Sequence, residues 1–130
     1  MAETISEALY KNIDADTTFK ALFTNGVHWL NAPQDTEPPY LVWFQVSDPN
    51  DEITMSYDGG AARFQFSVFH RNPFTASDLQ AEVKSKIELL TSPLDDFYLV
   101  QARVVNEQSI PADENGIYQF ITDSIFEWEK

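Results

Sequence analysis

Ala61-Ala62-Arg63-Phe64-Gln65-Phe66-Ser67-Val68-Phe69, entered through Gly59-Gly60, alternates with a period of two. Side chains of a strand point to opposite faces in turn, so Ala62, Phe64, Phe66 and Val68 share an apolar face and Arg63, Gln65 and Ser67 a polar one. This is the firmest strand in the chain, and the elements around it follow from its need for a partner layer. On its C-terminal side, Leu79, Val83, Ile87 and Leu90 recur at spacings of four, four and three. They predict a helix from Thr75 to Leu90, opened by Thr75-Ala76-Ser77-Asp78 and lying against the sheet. Glu82 and Lys86 are expected to pair on its solvent side, worth roughly 0.3 kcal/mol.

Beyond that helix, Phe97 to Val105 and Ile117 to Trp128 read as strands, and Pro111 to Gly116 between them carries turn residues, so an antiparallel hairpin with a wide loop is expected. Toward the N-terminus, Tyr40 to Val46 is aromatic and β-branched, a strand packed on both faces or facing a neighbouring subunit. Ser47 to Asp58 holds few core candidates and reads as a polar hairpin tip or mobile loop. Thr4-Ile5-Ser6-Glu7 has the form of a capping box, predicting a helix over about 4–12. A second short helix from Asp16 to Thr24 places Phe19, Leu22 and Phe23 on one face, and Gly26 ends it. Val27 to Leu30 can form a short strand, and the connection from Ala32 to Pro39 should be exposed. The expected architecture is therefore α+β, a single small domain over 1–130, with a mixed or antiparallel β-sheet and helices packed on one face. Strand order does not follow from these patterns.

Composition bounds the function. The 130 residues are 43% hydrophobic, enough for a packed core. Twenty-one acidic against eight basic residues leave a formal charge of -13, which repels phosphate backbones and argues against direct sequence-specific nucleic-acid binding. No cysteine is present, which excludes disulfides, thiolate metal sites and cysteine nucleophiles. Neither a basic flank before an apolar stretch at Met1-Ala2-Glu3-Thr4 nor a run of about 18 apolar residues occurs, so a soluble chain made in the cytoplasm, with no membrane partner, is expected.

The residues that could carry chemistry do not form a set. His28 and His70 lack metal-binding spacing and no Gly-x-Ser-x-Gly elbow accompanies them, so both read as strand-end or surface residues. Asp95-Asp96 and Asp113-Glu114 stand beside turns, where carboxylates are usually solvated. Asp48, Asp51, Glu52 and Asp58 offer oxygen ligands without the order of a calcium loop. Gly59-Gly60 precedes a strand, not the helix of a phosphate-binding loop. No catalytic residue, cofactor or metal is expected, and an excess of aromatic positions over one small core points to protein contact. An enzyme would need distant carboxylates, such as Asp58 or Asp123 beside His70, to converge in a deep pocket.

The run Ser56-Tyr57-Asp58-Gly59-Gly60 into Ala61 to Arg71 resembles the central strand of the tail terminator, or tail-completion, proteins of long-tailed bacteriophages. Asn72-Pro73-Phe74 and the helix after it, Gly26-Val27-His28-Trp29, the proline-rich approach to Tyr40-Leu41-Val42-Trp43-Phe44, and the closing Phe126-Glu127-Trp128 follow in that family's order. The resemblance implies a structural, non-enzymatic virion subunit of the tail or neck. It implies a six-fold homo-oligomeric ring at the head-proximal end that stops tube polymerisation, with the major tail tube protein and the head-tail connector as partners. A head-completion adaptor or minor tail protein of the same virion is the alternative. The expected contact residues are Arg63, an isolated cation beside Gln65, with Asp48, Asp51, Glu52 and Trp43.

Overall fold

A computed structural model describes residues 4–46, 59–94 and 97–129. Its elements are α1 (Ile5–Ala15), α2 (Thr17–Lys20), β1 (Val27–Trp29), β2 (Tyr40–Val46), β3 (Gly59–His70), α3 (Pro73–Glu88), β4 (Tyr98–Ile110) and β5 (Tyr118–Glu129). The strands form one mixed sheet in the order β1-β2-β3-β5-β4, in which only β1 and β2 run parallel. The three helices cover one side, so the domain is α+β as the patterning predicts.

The local signals account for most element ends. At α1 Thr4 is the expected cap, its Oγ1 accepting from the Glu7 amide at 3.1 Å, but Glu7 Oε1 accepts from the Thr4 hydroxyl at 3.2 Å, where the reciprocal half of a capping box would take the Thr4 amide. Asp16 caps α2 by accepting from the Phe19 amide at 3.0 Å. The helical part of that segment ends at Lys20, short of Thr24, yet Phe19 and Phe23 still enter the core edge to face. Gly26 holds φ at 108°, and a Cβ there would lie 2.8 Å from His28 Nε2, so only glycine fits this turn.

Two details of α3 depart from expectation. Its cap is Asn72, whose side-chain oxygen accepts from the amides of Phe74 and Thr75 at 2.9 and 3.2 Å. Pro73 takes the first position, where no N–H is needed. Lys86 pairs not with Glu82 but with Asp16 and Asn12, at 2.8 and 2.7 Å. The α1–α2 turn brings a carboxylate and an amide to a half-shielded position, where charge-assisted bonds outweigh a solvated helix pair.

That contact carries a pH dependence. The hydrogen bond from Lys86, then the amide of Phe19, hold the Asp16 carboxyl below its usual value of 3.8. A depressed acid stabilises the fold above its unfolded pKa and loses that contribution as pH falls through the folded one. Asp16→Asn keeps a capping oxygen without the charge. The wild-type advantage over this variant, read as melting temperature, should shrink between about pH 5 and pH 2. A constant gap across that range would show that the charge contributes nothing.

The core lies between sheet and helices. Leu41 and Trp43 of β2, Phe64, Phe66 and Val68 of β3, and Phe126 of β5 meet Ile5, Leu9 and Ile13 of α1 and Leu79, Val83 and Ile87 of α3. The predicted inward face of β3 is thus the observed one, and Phe66 is 2% exposed.

Candidate protein interface

The side of the sheet away from the helices is the first surface with partner character. Register aligns its residues in rows: Tyr40, Phe69, Gln119 and Ile110, then Val42, Ser67, Ile121 and Gln108. Phe44, Gln65, Asp123 and Asn106 come next, then Val46, Arg63, Ile125 and Arg103. Paired residues of an antiparallel ladder share a face, so this side mixes aromatic, aliphatic, amide, carboxylate and arginine groups, with Ser67 and Ile121 buried in its second row.

The connection from β1 to β2 shapes one end of it. Because those strands are parallel and adjacent, the chain must return along the sheet between Leu30 and Pro39. Leu30 leaves β1 with φ at 80°, unusual for a leucine, while its amide donates to the Trp43 carbonyl at 2.8 Å. The returning segment stands over the Tyr40 end and leaves a cleft of about 300 Å³, lined by Leu30, Pro33, Val42, Phe44 and Phe69, with Gln65 and Ser67 at its floor. Tyr40 stacks on Phe69 at 4.8 Å, and burial raises its phenol above the usual range.

Arg63 lies on this face, as expected of the polar side of β3. Its Nε is shielded from solvent and finds no hydrogen-bond partner among the described residues. Arg103 stands across Ile125 in the same row. Trp43 has a different place. It is 1% exposed and sits between Trp29 and Phe66, with ring centroids at 5.7 and 6.0 Å. Of the β2 aromatics Trp43 alone is consumed by the core beneath α1, which takes it away from any partner, while Tyr40 and Phe44 remain on the outer face. Asp48, Asp51 and Glu52 lie outside the described residues, as do Asp58, Asp95 and Asp96.

The second surface is the outer side of α3. Phe74 is 82% and Leu89 76% exposed, near opposite ends of the helix. Both lie outside the contact residues expected from sequence, although their offset from the Leu79–Val83–Ile87 stripe puts them away from the core. Tyr98 and Val100 add exposed apolar area on edge strand β4, where a register shift turns Val100 outward.

The histidines take local roles. His28 Nε2 lies 3.0 Å from the Asn25 carbonyl, and His70 Nδ1 accepts from the Asn72 amide at 2.9 Å. Burial lowers the His70 pKa, which favours the neutral ring this bond requires. Among the described residues no group of three or more His, Asp or Glu comes together as a metal site would need, and no helix is long and apolar enough to cross a membrane.

The α+β chain thus presents two unlike surfaces, a mixed sheet face and a largely acidic helix side with Phe74 and Leu89 exposed near its ends. The chain belongs to the family described as tail completion protein gp17, whose model matches residues 7–124. It is a structural protein of a phage-like virion, located in the tail or neck. A solved chain from the virion of a native gene transfer agent particle shares the fold, with a TM-score of 0.74 and 18% identity over 97% of this chain and 95% of that one. A second solved chain, 13% identical, aligns with a TM-score of 0.55 over 99% and 98% of the two chains. No curated protein sequence matches.

Proposed function

We propose that copies of this chain close into a six-fold ring at the head-proximal end of the tail, where the ring ends tube polymerisation and joins the head connector. The observation that carries this reading is the pair of unlike surfaces, the outer side of α3 and the open sheet face. A ring needs two different patches on each subunit, because identical patches meeting each other close a dimer instead. Arg63 is the proposed contact on the sheet face. Asp48, Asp51 and Glu52 are proposed, from sequence, as carboxylates that meet a neighbour. The major tail tube protein would lie below the ring and the connector above it, and the acidic charge would keep passing DNA from adhering.

Electron microscopy of the purified chain mixed with purified tail tubes tests the reading. Rings seated on one end of each tube, and an arrest of further tube growth, are the expected result. Decoration along the tube wall, or no association, would remove the terminator role. Association only with isolated connectors would favour a head-completion adaptor.

A further inference from the structure

We infer that neighbouring copies join face to back: Phe74 of one copy enters the cleft beneath the Leu30–Thr36 segment of the next, and Glu82 meets that copy's Arg63. This rests on the ring reading and specifies its contact. The cleft of about 300 Å³ has room for an aromatic ring and offers it apolar walls at Leu30, Val42, Phe44 and Phe69, beside polar Asn31, Asp35 and Gln119. Phe74 is the most exposed large apolar side chain among the described residues.

Spacing on the two surfaces agrees. Phe74 and Glu82 are eight helical residues apart, about 12 Å along α3. Ser67 at the cleft floor and Arg63 are four strand residues apart, about 13 Å along β3. Axial spacing thus matches in one seating, with Glu82 about 80° round the helix from Phe74 and reaching Arg63 from the flank of α3. Charge agrees as well. The exposed positions of α3 carry Asp78, Glu82 and Glu88, against Lys84, which reaches Glu107 at 3.8 Å. Arg63 and Arg103 have no ion-pair partner among the described residues, even though Asp123 and Glu127 share their face. A chain of charge -13 meets least repulsion from its own copy where arginines face its carboxylates.

Direction fits ring closure. Within one chain α3 starts beside the His70 end of β3 and returns across the sheet toward the start of β4, which is level with the Gly59 end. It therefore runs antiparallel to its own β3. The seating also sets α3 antiparallel to the neighbour's β3, so successive copies keep one orientation and differ by a rotation about an axis along the strands.

The cysteine-free sequence gives a direct test. Asp78→Cys, midway between Phe74 and Glu82, combined with Gln65→Cys, midway between Ser67 and Arg63, and bridged by a short bis-maleimide on assembled rings, should yield a ladder of multimers, whereas Asp78→Cys alone should yield none. Arg63→Glu and Glu82→Arg should each weaken self-association at least about tenfold, and the double reversal should restore it. Circular dichroism of each variant verifies its fold. Rings that form normally but give no ladder, or charge reversals that fail to compensate in the double variant, would overturn this contact while leaving the ring. Dimers from Asp78→Cys alone would overturn it in favour of a two-fold contact. A wild-type chain that stays monomeric with and without tubes would remove the ring reading itself.

Discussion

Trp43→Ala should destabilise the domain by about 3–5 kcal/mol, a large part of the roughly 5–15 kcal/mol that holds a domain together. The indole is 1% exposed and contacts rings from β1 and β3: Trp29 stacks on it at 5.7 Å, Phe66 at 6.0 Å, and Phe64 lies tilted at 6.0 Å. Tyr10 of α1 continues the stack through Trp29 at 5.3 Å. Alanine would leave a cavity where α1, β1 and β2 meet, beside a β1 strand that pairs with β2 over only three residues. Chemical denaturation of the isolated chain measures the loss. A variant with wild-type stability but impaired assembly would return Trp43 to the surface role that β2 suggests by composition.

Phage lacking this protein should produce unjoined heads and tails, and the tails should exceed normal length because nothing caps the tube. This follows from the proposed terminator role and is its largest consequence. Length distributions of negatively stained tails from a null mutant provide the measurement. Head-joined tails of normal length would defeat the assignment, whereas unjoined tails of normal length would leave joining and remove termination. Complementation with a Phe74→Asp chain then separates the ring contact from the fold, since Phe74 is 82% exposed and contributes little to the core.

Much of the architecture was legible because local forces set it. Strict alternation in Ala61 to Phe69 determined which side of β3 is buried, since a one-residue slip would put Phe64 and Phe66 in water. Thr4, Asp16 and Gly26 set helix ends through bonds and backbone freedom that span only a few residues. The order of motifs along the chain was enough for the family, which the match over residues 7–124 shows. Tertiary structure alone decided that β5 inserts between β3 and β4, that β1 joins the edge in parallel, and that Lys86 reaches Asp16 across 70 residues. It also decided that Trp43 is core and that Phe74 stands exposed. Apolar character is the same on the page whether a side chain is covered by its own chain or left for a partner. Only the position of α1 over β2, and the absence of any described layer over Phe74, separates the two, because burial depends on neighbours brought from far along the chain.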